Sequence, residues 1–204
     1  MWLDGLYMLE PFYAEYSVVN NQPEYFNDII NQFVWMEKYG RDAKTGLLYH
    51  GWDESKLQRW ANKKTGLSPE FWSRSIGWYM MALVDVLDFI PANHPRRNEL
   101  IKILNRTTTA LIKFQDAKSG VWWQVTNKAN QDKNYLESSG TAMFVFSIAK
   151  AIRMKYLPAT FNAALQKAYN GMIKEFVKED ANGQYHYMQA VAGAGLGGIP
   201  YRDG

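Results

Sequence analysis

The sequence contains no cysteine, so neither disulfides nor thiol chemistry contributes to its fold or its reactions. That absence leaves the compartment open. Concentrated charge is also missing. The formal net charge is +3 and no run of Lys or Arg exceeds two, which argues against nucleic acid as a partner. No apolar run is long enough to span a membrane, and Asp4 and Glu10 interrupt any secretory signal at the start. No spacing of His, Asp or Glu fits a metal site, and no cofactor is implied. The glycine run from Gly193 to Gly198 lacks the Lys and Ser/Thr of a phosphate loop.

Aromatic residues, by contrast, are abundant. They make up 15% of the 204 residues, with eight Trp and thirteen Tyr. With 47% apolar and 21% charged residues the composition is that of a single globular domain with an ample core. Core packing accounts for many aromatics. It does not account for Trp2, Trp52, Trp72, Trp122 and Trp123, which stand beside polar groups. The chain opens on Trp2-Leu3-Asp4-Gly5, continues through His50-Gly51-Trp52-Asp53-Glu54, and reaches Phe71-Trp72-Ser73-Arg74. An ionisable group beside tryptophan suits a pocket that stacks a sugar ring and holds its acidic substituent. The first such block begins at residue 2 with no scaffold ahead of it, so the chain reads as a piece whose N-terminal part is missing.

Three segments repeat a local pattern: Asp42 to Gly46, Asp116 to Gly120 and Asp180 to Gly183, each followed by an aromatic or β-branched tripeptide. Asp bonds its own backbone and Gly accepts positive φ, so each reads as a turn leading into a short extended piece. Helices lie between the turns. Residues 24–38 carry Phe26, Ile29, Ile30, Phe33 and Val34 on one stripe, and residues 160–178 carry Phe161, Ala164, Leu165, Ala168 and Met172. Both read as half-exposed outer helices. Residues 75–90 and 139–156 are apolar on most faces and read as inner helices, ended by Pro91 and Pro158. The expected architecture is all-α. About three hairpins of alternating inner and outer helices form part of an (α/α)6-barrel, a six-hairpin toroid. An open part-ring exposes an apolar seam, which predicts self-association through the open side unless upstream sequence covers it.

The blocks Trp2-Leu3-Asp4-Gly5-Leu6-Tyr7-Met8, His50-Gly51-Trp52-Asp53-Glu54, Ser68 through Tyr79, Asn134 through Phe144, and Gly195-Leu196-Gly197-Gly198 through Pro200-Tyr201-Arg202-Asp203-Gly204 follow one another along the whole chain. In these blocks the sequence resembles the unsaturated rhamnogalacturonyl hydrolases of glycoside hydrolase family 105, relatives of the unsaturated glucuronyl hydrolases. The resemblance implies that residues 1–204 form the C-terminal part of an (α/α)6 catalytic domain with an oligosaccharide substrate. It implies hydration of the 4,5 double bond of a terminal unsaturated uronate, of the unsaturated galacturonyl-rhamnose type, after which the hemiketal opens and the aglycone departs.

The same resemblance assigns Asp4 as proton donor and acceptor, with His50 assisting it or bonding the substrate. Enclosure by tryptophan disfavours the charged carboxylate and keeps a proton available. The structural alternative for Asp4 is a helix N-cap. Arg74 would hold the uronate carboxylate through its planar fork. Trp2 and Trp72 would stack on or enclose the sugar, and Met8 would line the pocket one turn past Asp4. Trp122 and Trp123 are candidates for contacting the aglycone. His94 and His186 read as structural, while Asp53, Glu54 and Glu137 are either structural or catalytic. Two rivals remain at this level. One is a conventional inverting or retaining glycosidase pairing Asp4 with Asp53, Glu54 or Glu137. The other is a non-catalytic carbohydrate-binding helical repeat.

Overall fold

The computed structural model describes residues 1–203; Gly204, the last residue of the final block, lies outside the described residues. Six helices dominate: α1 (Gly5–Val19), α2 (Phe26–Gly40), α3 (Ser73–Phe89), α4 (Arg97–Ile112), α5 (Ser138–Arg153) and α6 (Asn162–Phe176). Strand is confined to two small antiparallel pairs, β1 (Val177–Glu179) with β2 (Tyr185–Tyr187) and β3 (Leu196–Gly197) with β4 (Arg202–Asp203).

Consecutive helices pair as three hairpins. The odd-numbered helices form one row, with α3 packed between α1 and α5, and α2 and α4 pack in a second row. The row reflects side-chain pattern. Ile76, Tyr79, Met80, Leu83, Val84 and Leu87 of α3 are all buried, because neighbours meet this helix on several sides. The approach of α5 is close: a Cβ on Gly77 would lie 2.8 Å from the Met143 Cβ. In the outer row polar groups join the helices. Glu37 of α2 pairs with Arg41 and with Arg106 of α4, and Arg96 reaches Asn31 and Glu99.

Two expectations need correction. The helix expected over 139–156 stops at Arg153, and Pro158 does not end it. Lys155 adopts φ 62°, and the Tyr156 and Leu157 amides return to the Ala151 carbonyl, so the chain has already turned. Pro158 instead precedes a short 3-10 turn at Ala159–Phe161. Nor is α5 covered all round: Phe146 is 45% exposed. A more extensive apolar surface lies on α1, where Met8, Phe12, Tyr16 and Val19 are exposed at helical spacing, opposite buried Leu6, Glu10, Ala14 and Ser17.

The repeated turns form as their residues dictate. The Asp42 and Asp116 carboxylates accept from the backbone and hydroxyls of Thr45 and Ser119, and Asp180 accepts from the Asn182 and Gln184 amides. Gly46, Gly120 and Gly183 take φ of 76°, 82° and 76°. A fourth turn of this kind escaped the sequence pattern because Asn replaces Asp. Asn62 accepts from the Lys64 and Thr65 amides and Gly66 sits at φ 82°.

Beyond the turns, the segments entering α1, α3 and α5 run side by side. Trp2 bridges Gly51, Trp52 bridges Leu67, Trp72 bridges Val125, and Trp123 bridges Leu136. Backbone bonds continue the series, from Leu3 N–H to His50 O at 2.8 Å and from Ser73 N–H to Gln124 O at 3.0 Å. Sequence blocks more than 45 residues apart thereby meet at one end of the helical rows.

Candidate active site

Asp4 occupies the N-cap position of α1, yet its side chain makes no capping bond. Its backbone carbonyl accepts from the Tyr7 amide instead. The carboxylate is left for other work. Oδ1 is buried without a partner, and Oδ2 lies 3.9 Å from Nε2 of His50, beyond hydrogen-bond distance. His50 is fully buried, and neither ring nitrogen has a protein partner. Buried polar atoms are nearly always satisfied, so an uncommitted carboxylate facing an uncommitted imidazole is an exception that asks for a ligand.

Aromatic rings enclose this pair. Trp72 lies 4.8 Å from the His50 ring, centroid to centroid, and Trp2 lies 5.7 Å away, tilted at 54° and 59°. Trp72 is buried while Trp2 is 43% exposed, so one ring forms the floor and the other stands at the rim. The indole N–H of Trp72 is buried without a partner, adding a donor to the same set of loops.

Arg74 lies in the first turn of α3, two residues past Trp72 and half-buried. No ion pair joins it to a carboxylate among the described residues. One Nη of its guanidinium donates to the Val191 carbonyl. Met8 stands apart: it belongs to the exposed apolar face of α1, with Phe12. Thus Asp4, His50, Trp2 and Trp72 are gathered into one cluster and Arg74 follows Trp72 by two residues, whereas Met8 lies on the exposed face of α1.

The other candidates separate clearly. Trp122 is core, not surface: it is fully buried, donates to the Leu111 carbonyl at 3.0 Å and meets Phe144 edge-on. Asp53 is engaged by its own loop. Donation from the Gln58 amide, then from the Ser55 hydroxyl, holds its carboxyl below the usual range. Glu137 is fully buried and accepts from Ser139 and Gly140 at the start of α5 and from the Val191 amide. Glu54 is exposed and borders a cleft with Trp35, Tyr39 and Trp52, the last two stacked at 4.3 Å. His186 pairs with Asp180 at the third turn, and burial pushes the His94 imidazole below its ordinary value. Among the described residues no group of three His, Asp or Glu converges as metal ligands would.

Sequence reasoning missed two contributors. Leu196 packs against Gly51 and Trp60 beside the site, where a Cβ on Gly51 would sit 2.6 Å from the Leu196 Cδ1. The segment 187–191 runs across the starts of α3 and α5. Leu196 belongs to a block that carries the resemblance, but its packing on Gly51 and the contacts of 187–191 with the starts of α3 and α5 join residues more than 40 positions apart, so no local pattern shows them.

Comparison with known proteins follows the same blocks. The model for Glycosyl Hydrolase Family 88 matches residues 1–203. A 24.9 kDa protein in the picA locus of Rhizobium radiobacter is 36% identical over 201 residues, covering 95% of this chain and 84% of that protein. The unsaturated rhamnogalacturonyl hydrolase YesR of Bacillus subtilis is 29% identical over 80% of this chain and 45% of its own length. A solved glycoside hydrolase from family 105 of C. acetobutylicum superposes with a TM-score of 0.96 and 48% identity, covering all of this chain and 56% of the other. The chain therefore spans about half the length of these last two proteins.

Proposed function

The chain belongs to glycosyl hydrolase family 88, and from that premise we propose that its loops process a 4,5-unsaturated uronate at the non-reducing end of an oligosaccharide. The substrate class is the unsaturated galacturonyl-rhamnose type, in keeping with the rhamnogalacturonyl hydrolase among its relatives, while an acid-holding Arg and a stacking Trp suit the unsaturated uronate itself. The three hairpins form the C-terminal part of an (α/α)6 toroid, with α1 at its open side.

The observation that carries this reading is the idle carboxylate of Asp4, placed where a cap belongs and capping nothing. The reaction needs one group that donates a proton and then accepts one. Asp4 gives its proton to C4 of the enol ether, and positive charge develops at C5 and the ring oxygen. The Asp4 carboxylate then takes a proton from water as that water bonds to C5. The product hemiketal opens, and the aglycone leaves. His50, facing Asp4 with two open ring nitrogens, bonds a substrate hydroxyl or the water. Arg74 holds the uronate carboxylate with the part of its fork that Val191 does not occupy. Trp72 packs on the ring from below and Trp2 closes the rim.

The conventional glycosidase reading needs a second free carboxylate. Asp53 and Glu137 are engaged as acceptors, which weighs against either as partner for Asp4, and leaves the exposed Glu54 as the carboxylate that a conventional glycosidase would have to use. Ultraviolet absorbance of an unsaturated uronyl disaccharide tests the proposal. The double-bond signal should decay with the chain and persist with the Asp4→Asn variant. Cleavage of saturated glycosides without any loss of that signal would replace hydration by ordinary hydrolysis.

A further inference from the structure

We infer that Glu137 is a positioning residue that aims Arg74 at the substrate carboxylate, acting through the single residue Val191. The inference rests on the reading of Arg74 as the uronate-binding group.

A helix cap needs only the first amides of its helix. Glu137 supplies that function through Oε2, which accepts from Gly140 N–H at 2.7 Å, and Oε1, which accepts from Ser139 N–H at 3.0 Å and its hydroxyl at 2.6 Å. It also does something a cap does not require. Oε1 accepts from the Val191 amide at 3.0 Å, from a residue 54 positions on. The carbonyl of that same residue accepts from Nη1 of Arg74. One residue's amide and carbonyl thus link a buried carboxylate to a guanidinium.

The surroundings hold this relay still. Ser138 N–H donates to the Gln189 carbonyl at 3.2 Å, and the Tyr187 hydroxyl donates to the Ser138 carbonyl at 2.9 Å. Residues 187–191 are therefore pinned along the start of α5. The starts of α3 and α5 are themselves in contact, since a Cβ on Gly140 would lie 3.0 Å from both the Arg74 amide nitrogen and Glu137 Oε2. Arg74 has no carboxylate partner among the described residues to set its direction, so the Val191 carbonyl sets it. A guanidinium held by one Nη keeps its Nε and second Nη edge free, the edge that receives a carboxylate bidentately. Preorganising that edge lowers the ordering cost of binding.

The test follows the Arg74 Nε–H by ¹⁵N relaxation, with its signal identified by its absence in Arg74→Lys. In the unaltered chain the group should be ordered, and in Glu137→Gln its order parameter should fall below about 0.6, the range of flexible groups. Ser139→Ala weakens the cap without touching Val191. It should lower the melting temperature and leave Arg74 ordered. With an unsaturated uronyl disaccharide, Glu137→Gln should raise KM about tenfold with kcat changed far less. Combined with Arg74→Ala it should add little further, because the two residues act as one unit. Unchanged Arg74 order in a folded Glu137→Gln protein, or additive effects on KM, would overturn the inference and leave Glu137 as a cap alone. Loss of Arg74 order in a chain that ignores unsaturated uronates would uphold the relay and refute the functional reading.

Discussion

Two inner helices begin on acidic residues, and the two carboxylates have opposite fates. Glu137 at the start of α5 is fully buried, and its oxygens receive the Ser139 and Gly140 amides, the Ser139 hydroxyl and the Val191 amide. Asp4 at the start of α1 is partly exposed, makes no capping bond and leaves one oxygen buried without a partner. Equivalent places in the repeat thus hold a structural acid and an idle one. Conformation explains part of the difference. Glu137 enters its helix from extended backbone, with φ −113° and ψ 126°, which lets a side chain fold back over the first turn. Asp4 already has helical φ −70° and ψ −24°, so its side chain projects away from the amides it would cap. Burial without a bond is costly, and a group kept in that state points to a ligand.

Substitution sharpens the contrast. The largest effect is expected at Asp4. Asp4→Asn should lower kcat on an unsaturated uronyl substrate by about 10²–10⁴-fold, while thermal melting stays close to that of the unaltered chain. Near-normal decay of the double-bond absorbance would move the acid–base role to another carboxylate. Glu137→Ala should show the reverse balance. Removing the cap and stranding buried amides should cost about 2–4 kcal/mol, read by urea unfolding. A variant of unaltered stability would erase the distinction between the two acids.

A third acid on α1 adds a pH signature. Glu10 is buried, its Oε2 has no partner, and burial, helped by the nearby Asp28 charge, pushes its carboxyl up to about 8. The folded state therefore holds this proton more tightly than the unfolded chain, whose value is near 4.5. The resulting stabilisation is complete below about pH 4.5, and it declines as pH rises to about 8, where it is lost. Glu10→Gln should flatten this dependence and make the protein more stable at pH 9 by a few kcal/mol, roughly 1.4 for each pH unit of the decline. Urea unfolding at pH 5 and pH 9 measures it; parallel losses in both proteins would assign the decline to other groups. The smallest effect concerns the open face of α1. Phe12→Ser should reduce both self-association in sedimentation and binding of an apolar dye, since Met8, Phe12, Tyr16 and Val19 form a continuous exposed stripe. An unaltered chain that is monomeric and binds no dye would remove the case for association there.

Much of the architecture was legible before the structure. The stripe of Phe26, Ile29, Ile30 and Phe33 is buried as its spacing implies, and the helix it predicts differs from α2 by two residues at each end. The three aspartate–glycine turns were legible for the same reason, since their bonds stay within a few residues. α4 was harder to see. Its Thr107 and Thr108 are buried polar residues that bond back to the Ile103 and Leu104 carbonyls, interrupting the apolar stripe. Trp122 was misleading, because an indole beside Trp123 in a turn segment resembles a binding residue until its N–H is found on the Leu111 carbonyl.

The sequence by itself determined four of the six helices, the aspartate–glycine turns, and which acids stand beside tryptophan. Those properties depend on side-chain period, on Asp and Gly chemistry, and on neighbours in the chain. Tertiary structure decided which acid is engaged and which is idle. That choice depends on partners more than 45 residues away: Val191 reaching Glu137, and His50 lying 3.9 Å from Asp4. A difference of about 1 Å separates a hydrogen bond from an open acceptor. Only the packing of α1, α3 and α5, and the loops bridged across their starts, fixes distances to that precision.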